Sequence, residues 1–321
     1  MEYIYLLIAC AFFSLQFVFQ KLFKERTVGG MSVCFWNQMI CCAVSVIFLA
    51  VKSGLPSGLD LTAFLFVLAY AASGMLCSVS TITAMDCGRV SAVSTFCLAG
   101  GMVVPFFYGI MALDEDTSLT KWLGLIVLCL SLLPSFLQKT EGRAANANKL
   151  KFTFHCTIVF LTNGLVSVFS KMYMNYVDHT VTDEAVLAAA EDNFILTASV
   201  VRMAAALAIL VLIALVRRAN GKKETFQEAF WEIGVKKMTG NLFVLLVVFA
   251  GGYAVCNTLG NLFSLRCMDT MDASIQFPLL SAVVIVLTAV FGLIFFREKI
   301  GKDTAISLLL SVAGIGLFMI Q

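Results

Sequence analysis

Arg202 is a charged residue inside an apolar run, TASVVRMAAALA. It lies about nine residues from residue 193, the predicted start of the seventh apolar span, which corresponds to roughly 13 Å of helix. A guanidinium binds a carboxylate through two parallel hydrogen bonds, so Arg202 is predicted to anchor an anionic group of a substrate. The alternative is a structural arginine that pairs with backbone carbonyls or extends to the membrane interface.

Two asparagines form a second polar feature of the apolar runs. Asn257 and Asn261 are four residues apart and therefore share one face of a helix. Gly252, Cys256 and Gly260 follow the same spacing, which favours close approach of a neighbouring helix. Amides inside an apolar span are expected to face the bundle interior. The pair is predicted either to line a cavity or to form hydrogen bonds between helices.

The carboxylates of Glu115 and Glu298 offer a further chemistry, proton coupling. Each lies at the end of an apolar run and precedes the next helix, where the helix dipole and free backbone N–H groups favour a carboxylate. Helix capping is therefore the preferred interpretation. No buried Asp or Glu is expected elsewhere in the spans, and Lys21 and Lys171 are expected to be interfacial anchors.

The sequence lacks the motifs of common enzymes. HExxH, GxSxG and Walker patterns are missing, the 11 cysteines form no CxxC pair, and there are 2 histidines. We therefore predict that the protein is not an enzyme and uses no metal or cofactor. The cysteines are expected to stay reduced and to pack as small apolar residues.

Composition places these residues in a membrane protein. Of the 321 residues, 60% are hydrophobic and 13% are charged, with a mean hydropathy of +0.94. Apolar runs of about 20 residues recur, each long enough to cross a bilayer as a helix. The net charge of +2 gives no indication of nucleic-acid binding. We predict an all-α polytopic membrane protein with ten transmembrane helices, near 3–22, 31–51, 61–84, 90–113, 119–138, 152–176, 193–216, 240–265, 273–296 and 303–320.

An internal duplication organises these spans. Met85-Asp86 aligns without a gap on Met268-Asp269, and Glu115 aligns on Glu298. The duplication divides the chain into a first five-helix repeat (1–138), a polar linker (139–151) and a second five-helix repeat (152–321) with a surface helix in 217–239. Because five is odd, the two repeats must lie inverted in the membrane. Inverted repeats are typical of secondary transporters, which bind substrate near the midplane where the halves meet.

A family resemblance adds to this interpretation. The turns GIMALDEDTSLTKWLG (109–124) and GLIFFREKIGKDTAISLLLSVAGIGL (292–317) resemble those of the EamA branch of the drug/metabolite transporter superfamily. Arg202 resembles an arginine that this family often has at that place. The chain departs from the family pattern at Asp114, where a glycine is usual, and at Asn37, which replaces the arginine of the first half.

The resemblance implies a secondary transporter of the plasma membrane that exports or exchanges small polar metabolites, such as amino acids, by alternating access. Protons or an exchanged solute are the candidate coupling partners, and membrane lipid surrounds the protein. Lys and Arg lie mostly in loops after odd-numbered spans, which predicts termini outside, whereas the resemblance implies termini inside. The predicted substrate site is a midplane cavity lined by Gln16, Asn163, Ser167, Arg202, Asn257, Asn261 and Gln276.

Other functions are compatible with the same composition. An importer, or a flippase for a larger substrate, would have the same fold but a different route for the substrate. A passive channel would need a continuous polar stripe along a helix, and the sequence contains none. A non-transporting membrane scaffold would use the 217–239 segment to bind a partner.

Overall fold

Helices are the only regular secondary structure in the described part of the chain. The computed structural model describes residues 2–25, 31–54, 59–87, 90–137, 149–179, 184–219, 248–296 and 301–320. In these ranges it forms ten α-helices and no strand. They are α1 (Glu2–Glu25), α2 (Met31–Ser53), α3 (Leu61–Cys87), α4 (Val90–Ala112), α5 (Leu119–Leu137), α6 (Lys149–Asp178), α7 (Glu184–Ala219), α8 (Gly251–Met268), α9 (Ala273–Phe296) and α10 (Lys302–Met319).

Seven of these helices, α1 to α4, α6, α7 and α9, are long and apolar enough to cross a membrane. The apolar parts of α5 (Leu119–Leu133) and α10 (Ala305–Met319) are shorter. Helix α8 belongs to neither group and contains Asn257, Asn261 and Arg266. The prediction of an all-helical, membrane-compatible protein is thus confirmed for the described residues.

Helix α7 begins earlier than the sequence analysis predicts. It starts at Glu184 instead of residue 193, so the acidic residues assigned to a loop form its first turns. Glu191 and Asp192 are 2% and 5% exposed. The expectation that no Asp or Glu would be buried in the spans is therefore wrong. Partners on other helices compensate both charges, as described below.

Helices of residues 1–138 pack mainly against helices of residues 152–321. Helix α1 packs against α8 and α9, and α6 packs against α3 and α4. Helix α2 packs against α7, α5 against α10, and α4 against α9.

Residue contacts give the directions of these helix pairs. Cys267 Sγ lies 3.7 Å from the Glu2 carbonyl, and Phe13 packs on Gly260, so α1 and α8 are antiparallel. Ser14 Oγ lies 3.4 Å from the Val284 carbonyl, and Cys10 Sγ lies 3.6 Å from that of Leu280. Helices α1 and α9 are therefore parallel.

The same two relations recur around α6. The Tyr176 hydroxyl near the end of α6 donates to Asp60, which precedes α3, at 2.6 Å, so α3 and α6 are antiparallel. Gly100 packs on Phe160, and Val104 packs on Gly164, so α4 and α6 are parallel. A Cβ at Gly100 would overlap the Phe160 carbonyl, so this crossing requires glycine.

Several predicted features fall outside the described residues. Residues 138–148 include most of the predicted linker, and 220–247 include most of the predicted surface helix. Glu298 also lies outside them, as does the side chain of Lys21.

Candidate functional site

Arg202 lies at the middle of α7, since 18 residues separate it from Glu184 and 17 from Ala219. At 1.5 Å per residue, about 25 Å of helix lies on either side of it. The longer helix thus places Arg202 deeper than the sequence analysis does, near the centre of the apolar span Val186–Val216. Its side chain is partly buried.

The partners of the Arg202 guanidinium are neutral. Nη2 donates to the carbonyl of Tyr70 at 3.3 Å, and Cζ lies 4.6 Å from the centre of the Tyr70 ring. Nε is buried and has no hydrogen-bond partner among the described residues, and none of the described carboxylates forms an ion pair with Arg202. Gly74 lies directly beneath the guanidinium, where a Cβ would overlap Nη2.

A chain of hydrogen bonds leads from Tyr70 to α1. The Tyr70 hydroxyl lies 3.2 Å from Asn261 Oδ1. Asn261 Nδ2 donates to the carbonyl of Asn257 at 2.7 Å and to its Oδ1 at 3.3 Å. Asn257 Nδ2 donates to Gln16 Oε1 at 2.9 Å. We call Gln16, Asn257, Asn261, Tyr70 and Arg202 the polar network. It joins α1 and α3 to α7 and α8.

The structure places the other three predicted site residues against different partners. Asn163 Nδ2 donates to the Cys97 carbonyl on α4 at 2.7 Å. Gln276 is fully buried, and its Nε2 donates to the Ser264 carbonyl at 2.7 Å, within the α8–α9 contact. Ser167 is partly buried on α6, where its carbonyl accepts a hydrogen bond from Ser170.

Tyr70 connects the candidate site residues, and the sequence alone does not indicate it. It lies in the apolar run FLFVLAYAASG and is 5% exposed, as a core aromatic residue would be. Its ring contacts Phe194 at a centroid distance of 4.8 Å, and Phe194 contacts Tyr173 at 4.3 Å. This aromatic cluster fixes the ring on which Arg202 lies. Only the placement of α7 and α8 shows that the backbone carbonyl of Tyr70 pairs with Arg202 and its hydroxyl with Asn261.

A second polar group connects the ends of α2, α7 and α8. Lys52 Nζ lies 2.7 and 2.8 Å from the two carboxylate oxygens of Asp192, which also accepts from the Ser53 hydroxyl. Arg266 Nε donates to Glu191 Oε2 at 3.2 Å. Two adjacent acids of α7 are thus paired with bases on two different helices.

The turn between α8 and α9 is held by two further charges. Lys171 is 6% exposed and donates to the carbonyls of Met268 and Met271, at 2.5 and 3.0 Å. It is therefore not the interfacial anchor that we expected. Glu115 accepts from the backbone N–H groups of Ala273 and Ser274 at 2.7 and 2.8 Å. The predicted cap is confirmed, but it caps α9 instead of the helix that follows Glu115.

Asp269 lies in the same turn, outside the helices. Burial, the largest effect, and the nearby charge of Asp178 together raise the pKa of its carboxyl to about 6, against the opposing effect of Lys171. Its Oδ1 is buried and has no hydrogen-bond partner among the described residues. The turn therefore contains a carboxyl group that titrates at mildly acidic pH.

An apolar groove of about 410 Å³ opens between α4 and α5. Val103 and Phe107 line it on α4, and Trp122, Ile126 and Leu130 line it on α5. None of the described residues that line it carries a carboxylate, ammonium or guanidinium group. Elsewhere, the described residues contain no group of three or more His, Cys, Asp or Glu that could hold a metal ion.

Comparison with known proteins identifies the fold alone. No family model and no curated protein matches the chain. Solved structures do match, in 28 chains. One of them, described only as "Crystal structure of protein", is 11% identical, with a TM-score of 0.61 over 98% of this chain and 98% of that one. The similarity extends over nearly the whole chain, and at this identity it shows a shared fold.

Proposed function

We propose that the protein is a secondary transporter that exports or exchanges small polar metabolites by alternating access, with Arg202 as the anchor for an anionic group. The observation behind this proposal is the unpaired cation at the middle of α7. Its partners in the described structure are a carbonyl and an aromatic ring, and its Nε has none.

The free-energy cost of placing that cation inside an apolar span supports a binding role. A charged side chain at the centre of an apolar span costs several kcal/mol unless it is paired or faces water. A structural arginine would be expected to satisfy its N–H groups with carbonyls, and Arg202 does so with one of them. A bound anion would offset the remaining cost and could use the free N–H groups bidentately.

The packing of the helices supports two inverted five-helix repeats. Exchanging the two halves converts the α1–α8 pair into α6–α3, and both pairs are antiparallel. It also converts α1–α9 into α6–α4, and both of these are parallel. Among the other cross-pairs, α2–α7, α4–α9 and α5–α10 convert into themselves, and α2–α8 converts into α3–α7. This is the pattern expected of a duplicated transporter fold with ten spans.

The location of the polar network fits alternating access. Its residues come from both halves, α1 and α3 in the first and α7 and α8 in the second. A substrate bound there would contact both halves, so rocking one against the other would change its access from one membrane face to the other. We propose on this basis, and on the two Glu-containing turns, an EamA-type transporter of the plasma membrane.

A flippase is the less favoured alternative. The groove between α4 and α5 is where a lipid could enter, but a lipid substrate also needs contacts for its head group. The lining of Val103, Phe107, Trp122, Ile126 and Leu130 offers none that is charged. We therefore place the substrate at the polar network.

A ligand-stabilisation screen tests this proposal. Purified protein would be heated with amino acids, hydroxy and oxo acids, nucleosides, sugars and organic cations, and each stabilising compound would then be tested for transport in liposomes. We expect stabilisation by carboxylates and its loss in Arg202→Gln. Arg218→Gln, at the exposed end of the same helix, is the matched control and should bind normally. Equal carboxylate binding by the two variants would refute the role of Arg202.

A further inference from the structure

The hydrogen bonds of the polar network all run in one direction. The Tyr70 hydroxyl donates to Asn261, Asn261 donates to Asn257, and Asn257 donates to Gln16. A Tyr hydroxyl can donate to an amide oxygen, and the two amide-to-amide links each pair an NH₂ group with an oxygen. Each side-chain amide oxygen in the network therefore already accepts a hydrogen bond.

The groups left over at the two ends are donors. At one end, Gln16 Nε2 has no hydrogen-bond partner among the described residues. At the other end, Arg202 uses Nη2 on the Tyr70 carbonyl, and its Nε has no partner. At the two ends of the network, a ligand thus meets N–H groups, and at the Arg202 end also a positive charge.

An ammonium group bound beside Arg202 would lack a nearby negative charge and sufficient hydrogen-bond acceptors. It brings three N–H donors and a positive charge, and it needs acceptors. The buried carboxylates of α7, Glu191 and Asp192, are paired with Arg266 and Lys52. They precede Arg202 by 11 and 10 residues, which is roughly 15 Å of helix. They are too far away to neutralise an ammonium group bound beside Arg202.

We propose that the substrate is an anion rich in hydrogen-bond acceptors, a hydroxy or oxo carboxylic acid, and not a zwitterionic amino acid. The proposal rests on the transporter function above and narrows its substrate class. The carboxylate binds Arg202, and a hydroxyl or carbonyl oxygen beside it, unlike an ammonium group, adds no positive charge next to the guanidinium. An amino acid would present like charge to the guanidinium and leave its own donors unpaired.

Matched pairs of ligands test this substrate class on the purified full-length protein. Malate and aspartate, 2-oxoglutarate and glutamate, and pyruvate and alanine differ at one position, where oxygen replaces the ammonium group. Dissociation constants would be measured by calorimetry for the wild type, Arg202→Gln and Arg218→Gln. We expect the oxygen-bearing member to bind about tenfold tighter or more, because a site made for one hydrogen-bonding pattern rejects a ligand with the other.

The outcomes separate this proposal from the function on which it rests. A preference for the oxygen-bearing acids that Arg202→Gln abolishes and Arg218→Gln retains would support both. Binding that depends on Arg202 but is equal or tighter for the amino acids would overturn the substrate class and keep the anchor. Binding that is unaffected by Arg202→Gln, or absent for all six compounds, would overturn both.

A second variant tests the donor at the far end of the network. Gln16→Glu replaces the free NH₂ group with a carboxylate oxygen and adds a negative charge. We expect this variant to weaken binding of the hydroxy and oxo acids and to reduce the preference over the amino acids by about tenfold, which is the effect of one mismatched polar contact. An unchanged ratio of the dissociation constants for amino acids and oxygen-bearing acids would contradict a role for Gln16 in substrate recognition.

Discussion

At the scale of single residues, the position of Arg202 depends on what lies beneath it. The guanidinium rests on the Tyr70 ring and fills the space above Gly74. A cation above an aromatic ring is stabilised electrostatically, more strongly where water is excluded. Tyr70 and Gly74 therefore set the position of the charge that we assign to substrate binding. Neither residue stands out from the apolar run in the sequence.

Gly74→Ala should weaken substrate binding without unfolding the protein. The new Cβ would overlap Arg202 Nη2, so the guanidinium must move off the Tyr70 ring. Alanine in a helix is otherwise favourable relative to glycine by up to about 1 kcal/mol. We expect the affinity for carboxylate ligands to fall about tenfold or more, as misplacement of a binding group by an ångström can do.

Calorimetric titration and thermal unfolding together measure this effect. Gly316→Ala in α10 is the matched control, since a Cβ there meets nothing within 4 Å. This control should bind carboxylates normally. Wild-type affinity in Gly74→Ala would show that the guanidinium position is unimportant and would contradict the proposed anchor.

At the scale of helices, hydropathy and periodicity predict where helices exist but not where α7 begins. Its first nine residues precede the predicted start, and they include Glu191 and Asp192. A local pattern assigns such acids to a loop because buried charges are costly. Lys52 and Arg266, which pair with them, are 140 and 75 residues away in the chain. That compensation is visible only after the helices have packed.

The same limit applies to the candidate site. The occurrence of polar residues in apolar spans singles out Arg202, Asn257, Asn261 and Gln16, which the structure joins through Tyr70. It does not say which neighbour each side chain faces. Asn163 binds a carbonyl of α4, and Gln276 binds one of α8, because those are the helices against which α6 and α9 pack at these positions.

The ion pair between Lys52 and Asp192 should stabilise the packing of α2 against α7. Lys52→Gln should destabilise the protein more than Asp192→Asn, because it leaves a buried carboxylate with the Ser53 hydroxyl as its partner. The side chain of Lys52 is 40% exposed, so solvent weakens the interaction. We expect a coupling energy of about 1 kcal/mol in the double-mutant cycle.

The coupling energy is measured by unfolding the wild type, Lys52→Gln, Asp192→Asn and the double variant in the same detergent. The pair of Lys121 and Asp272 provides a control cycle, since its atoms are 3.7 Å apart and the Asp272 side chain is 50% exposed. Its coupling energy should be close to zero. Strictly additive effects of Lys52→Gln and Asp192→Asn would mean that the α2–α7 contact does not depend on the pair.

At the scale of the whole molecule, the number of membrane crossings decides whether the halves are inverted. Seven of the described helices are long and apolar enough to cross, and α5, α8 and α10 are shorter or more polar. Yet α5 and α10 pack on each other, and α8 packs along α1, which is long enough to cross. A helix shielded by neighbours needs less apolar surface of its own than one that faces lipid. We therefore predict ten crossings.

Epitope tags detected from one side of sealed vesicles test this prediction. Ten crossings place both termini and a tag at 180–183 on one membrane face and a tag within 138–148 on the opposite face. Seven crossings would place the termini on opposite faces. A tag within 138–148 on the same face as the N-terminus would require an even number of crossings in the first half. The two repeats would then have the same orientation, and the alternating-access pathway through the polar network would lose its structural basis.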